Sequence, residues 1–179
     1  PREINFRGDE VVILTMKTQH TEAALEDLRL AAGDEVPLFC CQNGVANERM
    51  ALRRFQNVHA MMVYLPAILL DPGTVLAHAA RKSGVLDASI YPTGSNDLVA
   101  EVTASLNSVN FSARPNPTVM RFKYGKLIMN LGNALAAVSP PGDEADAIRA
   151  QMRAEAEACM TAAGIDCAPQ AEEKARRGE

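Results

Sequence analysis

The apolar residues of this chain fall into two textures. Up to Tyr64, short unbroken apolar runs alternate with stretches of helical periodicity. Glu10–Met16 is such a run, the pattern of a strand buried on both faces, as in parallel sheets. Ala23, Ala24, Leu25, Leu28 and Ala31 then recur at helical spacing and stop at Gly33, with Thr21 as the expected N-cap. Val36–Cys41 reads as a second strand. After Gln42-Asn43-Gly44 the pattern predicts a helix over about 45–55, and Val58–Tyr64 reads as a third strand. Strands alternating with helices through short joints predict an α/β sheet with right-handed crossovers.

The second texture is helical. Between the two, Asp71-Pro72-Gly73 marks a turn, Thr74–His78 and Ser89–Tyr91 read as short strands, and Leu98, Val102 and Leu106 place a helix over 97–109. Arg114-Pro-Asn-Pro117 is the best domain boundary, giving domains 1–114 and 115–179. Beyond it, 119–138 reads as one long, mostly apolar helix despite Gly125 and Gly132. Ser139-Pro-Pro-Gly142 stops it, 144–163 forms an Ala-rich helix, and the charged tail to Glu179 has the look of a helix cut short.

Charge narrows the function classes. The net charge is -4 and no basic stripe calls for nucleic acid. No apolar run reaches the roughly 20 residues of a membrane span. The opening Pro1–Phe6 has no apolar core of a signal peptide and no initiator Met, so the chain is expected to continue upstream. Cys40, Cys41, Cys159 and Cys167 read as buried or free thiols of a reducing cytoplasm. His20, His59 and His78 lack metal-ligand spacing, so no metal is expected. No G-x-G-x-x-G is present either. A doubly wound dinucleotide fold carries that loop after its first strand, so either the fold is another or the first half of the sheet is missing.

Three stretches could carry chemistry. Lys17 follows the first strand, and in open α/β sheets ligands bind beyond the carboxyl ends of strands. It reads either as a phosphate or carboxylate contact or as a solvated lysine. Asn43, after the second strand, offers both a donor and an acceptor beside a helix start whose N–H groups suit an anion. Asn43-Gly44 is equally a common turn dipeptide. Lys126 and Asn130 lie four apart on the long helix and share a face, with Asn133 close to it. On a helix apolar almost all round they need partners, which a polar substrate would supply. The other reading has Lys126 snorkelling to water and Asn130 as a satisfied core amide.

Taken in order, Val11-Val-Ile-Leu-Thr-Met-Lys17, Cys41-Gln-Asn-Gly44, Pro72-Gly-Thr-Val75 and Tyr124-Gly-Lys-Leu-Ile-Met-Asn130 resemble the ketopantoate reductase family. The resemblance implies the second part of a Rossmann-type, mostly parallel sheet followed by the start of an all-helical C-terminal domain, with the active site between the two domains. It implies NADPH-dependent reduction of 2-dehydropantoate to pantoate, on the way to pantothenate, in the cytoplasm. Lys126 matches the family's catalytic lysine, the general acid. Asn130 and Asn43 match substrate-binding asparagines. Asn43 also contacts the cofactor, together with Lys17 and Ala67.

Two positions depart from the pattern. Tyr124 stands where the family has Trp. The family's second substrate asparagine falls at Ala134, leaving Asn133 as the nearest substitute. The expected partners are a small 2-oxo acid and, through the helical domain, a second copy of the chain. Alternatives are a related NAD(P)H-dependent reductase of another 2-oxo acid and a non-catalytic cofactor-binding relic. With the glycine-rich loop and the family's late serine and glutamate absent, the chain by itself is expected not to turn over.

Overall fold

A computed structural model of the chain describes residues 5–78 and 82–178. The chain divides into two compact units, Pro1–Met120 and Arg121–Glu179.

Unit 1 is built on a four-stranded sheet. Strands β1 (Val12–Leu14), β2 (Leu38–Cys40) and β3 (Val58–Tyr64) run parallel, with Val12 opposite Leu38 and Leu38 opposite Val58. Helix α1 (Thr21–Ala32) joins the first pair and α2 (Asn47–Leu52) the second. The order is β1-β2-β3-β6, and β6 (Val85–Ile90) lies antiparallel to β3, with Tyr64 opposite Val85 and His59 opposite Ile90. The sheet is therefore α/β and mostly parallel, as the alternation of runs predicts.

The strand period of two sorts the core onto two faces. Leu14, Leu38, Cys40 and Val58 pack with Leu25 and Leu28 of α1 and Ala51 of α2. Phe39, Met61, Leu86 and Ala88 face the other way, against Val99 of α3 (Asp97–Ser108). Asn96 caps α3 by accepting from the Val99 amide at 3.0 Å. The apolar run at β1 is not buried on both faces as its sequence predicts. β1 ends the strand order, and Ile13 is 39% exposed.

Two further strands, β4 (Ala67–Leu69) and β5 (Val75–Ala77), form an antiparallel hairpin apart from the main sheet. Its turn has Gly73 at φ 83, a conformation that suits glycine. β5 is the strand expected over 74–78, whereas no strand is predicted at β4. Ile68, Leu69, Val75 and Leu76 are all exposed.

Unit 2 holds helices only, among the described residues. The single helix expected over 119–138 is two: α4 (Val119–Asn130), whose first two residues belong to unit 1, and α5 (Gly132–Val138). The interruption falls at Leu131, beside Gly132, the weak point in helix propensity. Helix α6 (Asp143–Ala162) and helix α7 (Gln170–Arg177) follow. Arg121 of α4 pairs with Asp166 at 2.6 Å and with Glu172 at 3.1 Å, and its carbonyl accepts from the Ala168 amide at 3.0 Å. Gly125 exists for this packing. A Cβ there would lie 2.7 Å from the Ala168 carbonyl oxygen and 2.7 Å from Glu173 Oε1.

Candidate functional site

Parallel pairing sets Lys17 and Asn43 at one end of the sheet. β1 exits at Leu14 and β2 at Cys40, opposite each other in register, so both residues lie beyond the carboxyl ends of neighbouring strands. The Cys41 amide donates to Leu14 O at 3.0 Å, extending the pairing past the last register. Lys17 adopts an extended conformation (φ -62, ψ 144) and precedes a 3-10 turn, Thr18–His20. Both side chains are exposed, and neither has a hydrogen-bond partner among the described residues. Gly44 has φ 85, and a Cβ built there would meet nothing within 4 Å, so the backbone is open to an approaching group. β3 exits at the same end; Ala67 follows in β4, exposed.

Two expectations about this end need correction. Thr21 does not cap α1. The residue before the helix is His20, and neither α1 nor α2 has a side-chain cap. Thr21 is instead fully buried, its hydroxyl donating to Asn47 Oδ1 at 3.0 Å. The helix after Asn43 is only six residues long, so its N-terminus is a weaker anion site than a long helix predicts. What sequence reasoning missed is Gln42. Read as part of the Gln-Asn-Gly turn, it is 4% exposed and donates to Met16 O at 2.9 Å and Thr21 Oγ1 at 2.8 Å. A polar residue directly after an apolar strand, and so near the core, was the available signal.

In unit 2, Lys126 and Asn130 share a face of α4, one turn apart, and both are half-buried. The reading of a helix buried all round is corrected: Phe122, Lys123, Gly125 and Ile128 face inward, and the deeply buried cation is Lys123, 4% exposed, not Lys126. Asn130's amide has no partner among the described residues. Asn133 lies beyond the break, on α5, and is exposed.

Three cavities among the described residues lie away from these side chains. One of about 370 Å³ is lined by Phe6, Arg7, Glu10, Val36 and Pro37, at the end of the sheet where β2 begins. Unit 2 has pockets of about 300 and 430 Å³ against Ile128 and Arg153, neither lined by Lys126, Asn130 or Asn133. Among the described residues no group of acidic, histidine and cysteine side chains could hold a metal. No helix there is long and apolar enough to cross a membrane.

Residues 5–88 match the sequence profile of the family described as ketopantoate reductase PanE/ApbA. A 2-dehydropantoate 2-reductase of Pyrococcus horikoshii is 27% identical over 133 residues, covering 74% of this chain and 41% of the relative. A ketopantoate reductase of the PanE/ApbA family from Ralstonia eutropha JMP134 superposes with a TM-score of 0.74 at 22% identity, over 91% of this chain and 55% of that one. A D-mandelate dehydrogenase in complex with NADH has a TM-score of 0.75 at 17% identity, over 88% of this chain and 55% of that one. These two share the fold, and the chain spans about half the length of the relatives it matches or less. The parallel strands that carry Lys17 and Asn43 at one end, with the hairpin that follows them, thus lie within the segment, residues 5–88, that is similar to the ketopantoate reductase PanE/ApbA family.

Proposed function

We propose that this chain is part of an NADPH-dependent reductase that converts the ketone of 2-dehydropantoate to pantoate. In this reading residues 1–114 belong to a cofactor-binding domain and 115–179 to a helical domain for substrate binding and for pairing with a second copy. The observation that carries the reading is the placement of Lys17 and Asn43 at adjoining carboxyl ends of parallel strands within the family-matched segment. A dinucleotide fits that placement. An exposed ammonium and an exposed amide stand there with no partner among the described residues, beside an open main chain at Gly44.

When bound, the reduced nicotinamide supplies the hydride. The protein's part is position and field. As the ketone is reduced, negative charge grows on its oxygen, and that charge must be stabilised and then protonated. The Lys126 ammonium does both, donating the proton from Nζ. Asn130, one turn along the same face, donates an amide hydrogen that orients the substrate. Asn43 orients substrate and cofactor, Lys17 meets an anionic part of the cofactor, and the small Ala67 leaves room on the nicotinamide side. Asn133 is the remaining substrate contact.

A second reading keeps the chemistry and changes the substrate and cofactor: an NADH-dependent reductase of another 2-oxo acid. Ala134 in place of the second asparagine and the exposure of Asn133 on α5 favour it, and the dehydrogenase of like fold acts with NADH on D-mandelate. Initial rates for the full protein, with NADPH and NADH each paired with 2-dehydropantoate and with the 2-oxo acid of mandelate, decide. Highest kcat/KM for NADPH with 2-dehydropantoate supports the first reading. No turnover of any pair, with both cofactors shown to bind, supports the relic.

A further inference from the structure

The loops that carry Lys17 and Asn43 are joined by a buried run of hydrogen bonds. Gln42 Nε2 gives one hydrogen to Met16 O (2.9 Å) and the other to Thr21 Oγ1 (2.8 Å). The Thr21 hydroxyl passes its own hydrogen to Asn47 Oδ1 (3.0 Å), and Asn47 Nδ2 donates to Asn43 O (3.1 Å). From Gln42 onward through Thr21 and Asn47 the donors follow one another head to tail, so each bond polarises the next. The run ends on two main-chain carbonyls, that of Met16, directly before Lys17, and that of Asn43 itself.

Thr21 and Asn47 are the first residues of helices α1 and α2, one past the N-cap positions His20 and Ala46, where Thr and Asn side chains serve as caps. Neither helix has such a cap. Both side chains are 0% exposed and spend their hydrogen bonds on each other and on the neighbouring loop. Buried polar side chains that hydrogen-bond one another specify a local geometry. Here what they specify is the course of the two loops at the carboxyl end of the sheet.

We infer that Gln42, Thr21 and Asn47 are positioning residues for a nicotinamide dinucleotide. They fix the main chain at Met16 and Asn43 and so set the directions in which Lys17 and Asn43 project. The inference rests on the functional reading above, which gives Lys17 and Asn43 a cofactor to meet.

Thr21→Val removes the central hydroxyl at nearly constant shape, and Thr21→Ser restores it. Asn47→Asp keeps an acceptor for Thr21 and replaces the amide donor to Asn43 O by a carboxylate oxygen, at the added cost of a charge in a fully buried position. In the full protein three quantities are read: the Kd for NADPH by fluorescence titration, the thermal midpoint, and amide exchange over 15–18 and 42–46 without cofactor. Thr21→Val and Asn47→Asp each weaken NADPH binding about tenfold, the order of one lost hydrogen bond, and both speed exchange in the two loops. Thr21→Ser stays near wild type.

A lowered midpoint with unchanged Kd and unchanged loop exchange overturns the inference, since the run is then ordinary core packing. Should Thr21→Val fail to fold, Asn47→Asp decides by the same criteria. If the unsubstituted protein binds neither NADPH nor NADH, the functional reading fails and the inference about a dinucleotide fails with it. Exchange alone then decides whether the run fixes the loops.

Discussion

Gly125→Ala sets two known effects against each other. Alanine is the better helix former by about 1 kcal/mol in a helix interior, so an exposed site would gain stability. At this site the new methyl carbon would stand 2.7 Å from the Ala168 carbonyl oxygen, well inside van der Waals contact. That carbonyl cannot easily retreat, because the amide of the same residue donates to Arg121 O at 3.0 Å and Ala168 is 3% exposed. The Glu173 carboxylate, equally close, is 1% exposed.

Forcing a methyl into a packed site costs about 1–3 kcal/mol. Here the cost involves backbone, so the upper part of that range applies, and the net loss after the propensity gain is about 1–2 kcal/mol. Gly132→Ala is the internal control. Its Cβ would meet Arg149 Nε at 3.2 Å, the end of a flexible, half-exposed side chain that can swing away. That substitution should be neutral or gain up to about 1 kcal/mol. Urea unfolding of the full protein, followed by circular dichroism, reads both as shifts in midpoint at constant slope. A Gly125→Ala midpoint equal to or above that of the parent would refute the close approach of α7 to α4. The position adjoins Lys126, so a displaced α4 should also register in turnover.

Three further outcomes follow from the site and the core. Lys126→Ala should lower kcat by about 10²–10⁴-fold while leaving NADPH binding nearly unchanged, whereas Asn130→Ala should chiefly raise KM for the oxo acid; near-normal turnover of Lys126→Ala would mean a snorkelling structural lysine. Lys17→Ala should raise the Kd for NADPH with little effect on KM for the oxo acid, and a titration showing unchanged affinity would remove it from the cofactor site. His59 is stacked on Phe39 at 4.3 Å and burial pushes its pKa below the ordinary histidine value, so its neutral form contributes stability that is fully present above about pH 6.5 and is lost as pH falls toward the lowered pKa. That slope, at most about 1.4 kcal/mol per pH unit, should vanish from urea midpoints between neutral pH and pH 5 in His59→Phe, and an unchanged slope would assign the acid sensitivity to other groups.

The elements of unit 1 that carry a strong period and a clear stop were legible, whereas β4 was not expected and β6 was read only at its end, over Ser89–Tyr91. Ala23 to Ala31 end at Gly33, and Val58–Tyr64 is an unbroken apolar run. What a single sequence could not supply is partnership. Ile13 is as apolar as Phe39, yet one sits in a strand at the end of the order and the other in a strand flanked by two neighbours. Nothing local distinguishes them. Thr21 reads as a cap from its position, and only the arrival of Asn47 from 26 residues away redirects its hydroxyl. In α4 the apolar residues wrap the helix too evenly to show which side is buried, so Lys123 and Lys126 could not be ranked. The break at Leu131 hides among good helix formers, with Gly132 as its only mark. Lys17, Asn43, Lys126 and Asn130 were readable as a family pattern, while Gln42, which secures the loops, looked like half of a turn.

The antiparallel pairing of β6 has a practical use. β6 finishes beside the start of β3, where the Tyr91 amide donates to Val58 O at 3.0 Å, so the loop over 92–96 emerges at the end of the sheet opposite Lys17 and Asn43. Ser95 in that loop is exposed. A dye or surface tether attached there would stand a full strand length from the end proposed to meet the cofactor, so immobilised or labelled protein could report on cofactor titrations without the probe competing for the space it monitors.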